Sequence, residues 1–397
     1  MLTIKTQFGI SNFEEYLSNV SGREQLLQIP NKVKANAVGG VVSLIQLIIT
    51  WSRKSDNPTL RLHTNELKHK AMLNFCNTPF GVTALNMARN IQNVHGAPVS
   101  RRDALMEARE YVSLMHAGKL DDLRTIKKDM IPILCLDNSM YLRHPGRLYN
   151  NATGNVRERY EFEDLVSTCY STILMTRGKI SKTELIEPIA GLLYEAFQNT
   201  HEHAQSDIYG NRYARSTRGI VFGYHDITVS SLTSMAGEDD KLREYFQWWQ
   251  SQRDQTRHVR FAEVSIFDSG PGLAKNWLSK HGGILKEIES VSFSIEDEYK
   301  AVIKCLDKGS TTKQSKSYGN GLFRIMQVVK ASGGYIRIRS GRLSLVKAFT
   351  ENLSEPVIEQ DLMMYDANRE FASTPPRAWA EGTLITVMIP LNRIDHE

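Results

Sequence analysis

Two hydrophobic periods organise the chain. Short apolar runs bounded by turn residues predict strands over 25–30, 59–63, 131–136, 219–224, 259–268, 335–339, 343–349 and 383–390. Apolar residues spaced three or four apart predict helices over 35–53, 65–76, 83–93, 156–176, 284–306 and 321–331. Ser100-Arg101-Arg102-Asp103 opens another amphipathic helix, with Gly118 placed to end it. Ser181 and Glu184 form a capping-box pattern, and Pro188 just beyond predicts a kink or a late helix start. The most apolar stretch, 38–49, is too short to span a bilayer and predicts a buried helix. The polar stretch 144–155 reads as a linker. It divides the chain into an α/β region, 1–150, and a second α/β region, 151–397, with insertions near 230–258 and 350–380. The first insertion carries the aromatic cluster Tyr245-Phe246-Gln247-Trp248-Trp249.

Composition narrows the classes. With 41% hydrophobic and 23% charged residues over 397, the chain is neither disordered nor a coiled-coil rod. Its net charge of +5 is too small to argue for nucleic acid by itself. Cys76, Cys135, Cys169 and Cys305 are far apart and form no metal-ligand spacing, and the first residues do not form a signal peptide. The expectation is a reduced, cytoplasmic protein with no membrane partner.

Four segments carry candidate chemistry. In Glu195-Ala196-Phe197-Gln198-Asn199-Thr200-His201-Glu202-His203, the residues Glu195, Asn199 and His203 fall four apart and share one helix face. The apolar run 264–267 leads into Asp268-Ser269-Gly270-Pro271-Gly272, a carboxylate at a strand end followed by glycines that allow close approach. Gly309-Ser310-Thr311-Thr312-Lys313 and Gly319-Asn320-Gly321-Leu322 lead into a helix, the composition of an anion site. Gly382-Thr383 opens the last strand. Each segment alone is ordinary: a solvated helix face, a turn, a polar loop, a strand start.

Their order and spacing together resemble the four boxes of the GHKL superfamily of ATP-binding proteins, over roughly residues 156–391. The resemblance implies a Bergerat fold, a sandwich of a mixed sheet with helices on one face, preceded by a smaller N-terminal α/β domain. It implies ATP and Mg²⁺ as ligands. Asn199 would bind the metal, and Glu195 would be the general base. Asp268 would accept from the adenine amino group, supported by Thr383, with Gly270 and Gly272 lining the adenine pocket. Thr312 and Lys313 would contact phosphate, and Gly319, Gly321 and Leu322 would belong to a hinged lid. His203 matches the anti-sigma-factor serine kinases and would contact phosphate or the lid, or else only cap its helix. Phe323 stands where the family's last lid glycine falls, and the gap from Asn199 to Asp268 is long.

The leading expectation is an ATPase acting as a conformational switch for another chain in a bacterial signalling or defence system, with a homodimer among the allowed assemblies. A serine kinase of the anti-sigma-factor type is the alternative. A third is an ATP-gated component of a nucleic-acid assembly, resting on Arg324, Lys330, Arg337, Arg339, Arg342 and Lys347; a solvated sheet edge accounts for that run more readily. His63 lacks the surroundings of a phospho-acceptor histidine. The N-terminal region has an element order similar to STAS-like modules, and otherwise reads as partner-binding.

Overall fold

Every residue from Val42 to Trp51 is buried, in a helix spanning Gly40–Lys54. A helix apolar on all sides needs cover on all sides, and the helices Ile10–Ser18 and Pro79–Met87 together with one of the chain's two sheets supply most of it. The first sheet has five strands in the order β1 (Leu2–Thr3), β2 (Leu26–Gln28), β3 (Thr59–Arg61), β4 (Asn90–Gln92) and β5 (Pro98–Val99). The first four are parallel and β5 is antiparallel to β4. Leu2, Leu27, Leu60 and Ile91 are register partners and form one buried row across it. The structure, a computed structural model, describes all residues except 21, 23–24, 36, 128, 138–144, 175–184, 238, 253, 255–256, 308–320, 367–376 and 392–397, and the backbone alone of 125 and 321.

The second sheet has seven strands: β6 (Met130–Asp137), β7 (Ser216–Thr228), β8 (His258–Asp268), β9 (Tyr335–Gly341), β10 (Leu343–Ala348), β11 (Tyr365–Asp366) and β12 (Ala380–Pro390). Their order is β11-β10-β9-β12-β8-β7-β6, and every neighbouring pair is antiparallel. The expected α/β class holds, but this sheet is antiparallel where a mixed sheet was expected. Its helices also lie on two faces rather than one. The Gly40–Lys54 helix packs on β12 and β8 from one side. The helices Arg159–Leu174, Glu187–His203 and Gly321–Ala331 cover the other. With both faces covered, β8 is buried at every residue from Phe261 onward, the polar Glu263 and Ser265 included.

Polar residues of the Gly40–Lys54 helix fasten it to its covers. Gln46 Nε2 donates to the Arg339 carbonyl at 2.9 Å, and Thr50 Oγ1 accepts from the Glu381 amide at 2.9 Å. Trp51 Nε1 donates to the Gln25 carbonyl at 2.8 Å, on the side of the parallel sheet. The division at 150 therefore does not separate the sheets. The strand expected over 131–136 is β6, which pairs with β7 along its length, and one core cluster runs from Leu2 to Ile389. Nor is 144–155 a free linker where it is described: Leu148 and Tyr149 are buried.

The aromatic insertion is a buttress. Its helix Asp240–Ser251 packs Tyr245, Phe246 and Trp249 against Phe261 and Tyr335. Tyr335 Oη donates to the Asp239 carboxylate at 2.7 Å. The helix expected over 83–93 is instead the helix Pro79–Met87 followed by β4. Pro188 sits in the first turn of the helix Glu187–His203, and the capping-box residues Ser181 and Glu184 lie outside the described residues. Among the described residues no helix is long and apolar enough to cross a membrane.

Candidate functional site

The row of side chains at the end of β8 organises the site. Arg218 on β7, Asp268 on β8, Thr383 on β12 and Ser340 on β9 are successive register partners, so all four point to one face. That face carries the Glu187–His203 helix, whose carbonyl at His203 lies 2.5 Å from where a Cβ on Gly270 would stand. Only a glycine lets the turn after Asp268 approach the helix so closely. The order of the segments along the chain thus becomes proximity: the end of the Glu195–Asn199–His203 stripe abuts the Asp268 turn, which pairs with Gly382-Thr383.

Asp268 is buried, and burial pushes its carboxyl up to about 6. The rise is opposed by hydrogen bonds from the Gly270 amide (2.8 Å) and from the amide and hydroxyl of Thr383, and by the charge of Arg218. At neutral pH the group is an ionised acceptor held in a poorly solvated place. A ligand N–H that reaches it gains more than it would from an exposed carboxylate. Ser340 ties the segments together. Its hydroxyl donates to the Gly382 carbonyl at 3.2 Å and accepts from the Leu273 amide at 3.0 Å, where the helix Leu273–Lys280 begins.

Gly382 has φ +75°, and a Cβ there would lie 2.0 Å from the Asp268 carbonyl oxygen. Gly382→Ala is therefore expected to cost more than the ~1–2 kcal/mol of a left-handed non-glycine residue, because β12 must also pull away from β8. An unchanged denaturation midpoint would show that the pairing tolerates the methyl group.

Behind Asp268 lies a buried polar chain. Arg218 is fully buried, pairs with Asp137 and donates to Tyr149 Oη at 2.8 and 3.1 Å. Tyr149 Oη in turn lies 3.0 Å from His201 Nδ1 on the site helix. Arg218, Tyr149 and Ser340 were not among the residues expected from sequence. The strand expected over 219–224 stops one residue short of Arg218, and Tyr149 falls in the stretch read as linker. The available signal was the run Ser216-Thr217-Arg218, which extends that strand by polar residues too short or too paired to break it.

On the helix, Glu195 and Asn199 are half-buried, and among the described residues neither side chain makes a hydrogen bond. His203 Nδ1 lies 3.2 Å from Lys280 Nζ. The helix Gly321–Ala331 packs alongside, with Leu322 buried in its first turn. Thr312, Lys313 and Gly319 lie outside the described residues, as does the side of Gly321. Gly272 precedes the helix Leu273–Lys280 and packs on Ser340. Among the described residues no cluster of His, Cys, Asp or Glu has the makeup of a metal site by itself. A single amide oxygen such as Asn199's would hold Mg²⁺ only with phosphate oxygens and water completing the sphere.

The basic run resolves differently from both expectations. Arg337 and Arg339 are buried, because β9 is an interior strand between β10 and β12. Arg337 donates to Ser43 at 3.1 Å, and Arg339 makes a bidentate pair with Glu14 at 2.9 and 3.1 Å. Arg342 pairs with Glu298 and Lys330 with Asp361. These cations hold elements together and form neither a nucleic-acid face nor a solvated edge. A separate cleft lies at the carboxyl ends of β2 and β3, lined by Asn31, Arg61, His63 and Phe75 among others, and shares no residue with the Asp268 row. No family model, no curated protein and no solved structure matches the chain.

Proposed function

We propose that the chain binds Mg-ATP in the manner of the GHKL superfamily and hydrolyses it as a conformational switch for a partner chain. The observation that carries the reading is the Asp268 carboxylate: buried, hydrogen-bonded by Gly270 and Thr383, and set against the end of the helix that bears Asn199 and Glu195. A helix rises ~1.5 Å per residue. The stripe from His203 back to Glu195 therefore spans ~12 Å, the scale of an extended nucleoside triphosphate. Adenine would meet Asp268, the phosphates and Mg²⁺ would meet Asn199, and the terminal phosphate would lie beside Glu195. Transfer to a protein hydroxyl is the second reading. It uses the same groups, with Glu195 taking the hydroxyl proton instead of water's. The burial of Arg337 and Arg339 removes the main support for a nucleic-acid assembly.

The test is competition of ATP, ADP and GTP against a fluorescent adenine nucleotide with Mg²⁺ present. ATP should displace it, and GTP should compete poorly, by ~30-fold or more, because guanine offers a carbonyl where Asp268 needs a donor. Equal potency of GTP would overturn the assignment of Asp268. With γ-labelled ATP, release of free phosphate supports hydrolysis and label on a protein supports the kinase reading.

A further inference from the structure

The stripe on the site helix begins one turn before Glu195, at Gly191, and two arginines occupy the space this glycine leaves. A Cβ on Gly191 would stand 3.0 Å from Arg324 Nε and 3.1 Å from Arg159 Nη2. The two side chains come from different elements. Arg159 is the first residue of the helix Arg159–Leu174, and Arg324 lies in the first turn of the helix Gly321–Ala331. Those helices flank the site helix. Both guanidiniums also sit at helix N-termini, whose partial positive charge adds to their own.

Two cations do not share a half-buried space without a reason. Among the described residues neither guanidinium donates a hydrogen bond or forms an ion pair. Burial and the charge of Arg159 both weigh against the ionised form of Arg324, and the charge of Glu195 favours it. The arrangement is costly in the unliganded chain, and an anion bridging both forks would reverse the sign.

We propose that Arg159 and Arg324 form a two-fork anion site for the terminal phosphate of a nucleoside triphosphate, with Gly191 kept bare so that both reach it. This rests on the nucleotide reading above and adds to it. The chain itself supplies the cations that recognise the third phosphate, and Glu195 lies beside them to orient the attacking group. The pair would then discriminate ATP from ADP, leaving adenine recognition to Asp268.

Titration calorimetry of the full chain with Mg-ATP, Mg-ADP and inorganic triphosphate tests it. Arg159→Ala and Arg324→Ala should each weaken ATP binding ~10-fold and the double variant more, with ADP affinity unchanged within about twofold. Arg324→Lys should not restore full ATP affinity, because an ammonium lacks the fork. Each single variant should melt no lower than the wild type, since it relieves a repulsion; a merely structural arginine would lower the melting point. Folded variants that bind ATP as the wild type does, or lose ATP and ADP alike, would overturn the proposal. If the wild type binds neither nucleotide, the nucleotide reading fails. The arginine pair is then decided by inorganic triphosphate: binding that the double variant loses sustains an anion site, and no binding ends it.

Discussion

Glu195→Ala is expected to bind Mg-ATP about as well as the wild type and to turn it over ~10²–10⁴-fold more slowly. The two halves of that result come from the helix geometry. Asn199, the proposed metal ligand, lies one turn further along the stripe, and the Asp268 row lies beyond the helix end. Removing a half-buried carboxylate that makes no hydrogen bond to another described residue leaves both in place. What is lost is the group that takes a proton from the attacking oxygen, a contribution made in the transition state and not in the ground state. Asn199→Ala should do the reverse, weakening Mg-ATP binding itself. Single-turnover measurement with γ-labelled ATP separates the two. A folded Glu195→Ala protein with wild-type turnover would remove Glu195 from the chemistry. Loss of binding in the same variant would instead point to a structural role in neutralising Arg324.

The elements that sequence made legible are those whose burial is one-sided or total and local. The helix Gly40–Lys54 announced itself by composition, and β8 by an apolar run ending in Asp268-Ser269-Gly270. What could not be read was which surfaces face each other. Nothing in residues 38–49 says that a sheet on one side and two helices on the others cover them. The layering that follows explains both corrections to the expected architecture: a second covered face, and β6 crossing the division at 150 to pair with β7. The same limit applies to charge. Arg337 and Arg339 alternate along β9 as surface residues would, and only the position of Glu14 and Ser43 on the covering helices shows them to be interior. For the proposed site, motif spacing singled out Glu195, Asn199, Asp268 and Thr383. It did not point to Arg218, Ser340 or Arg159, and it named Arg324 only within a basic run, because contacts between segments far apart in sequence place these residues. Gly191 was legible in principle, a glycine in mid-helix at the same four-residue spacing as the stripe it extends.

Asp268→Asn is expected to lose ~30- to ~1,000-fold in ATP affinity, and the loss should shrink as pH falls. The amide puts an N–H where the adenine amino group needs an acceptor, so two donors confront each other. The pH dependence follows from the carboxyl's position at about 6, above its ordinary 3.8, with burial as the main cause and Arg218 the charged neighbour opposing it. Below that value the wild-type group is protonated in the folded chain and no longer a full acceptor. The wild type should therefore weaken toward the variant between pH 7 and pH 5. Comparing the two proteins at each pH cancels the titration of the nucleotide's own phosphates.

Stability without ligand should move the opposite way. A carboxyl whose folded value is raised binds its proton more tightly in the folded state, so its favourable contribution is complete below about pH 4 and is lost as pH rises through about 6. The interval between 3.8 and about 6 corresponds to roughly 3 kcal/mol at neutral pH. That is the disadvantage of keeping an ionised acceptor out of water, and an adenine amino group offsets part of it on binding. Urea titrations of the wild type and Asp268→Asn from pH 4 to pH 8 should show the wild type declining relative to the variant across that window. Parallel profiles would mean that Asp268 is solvated and ordinary, and would take with them the argument that its burial serves ligand recognition.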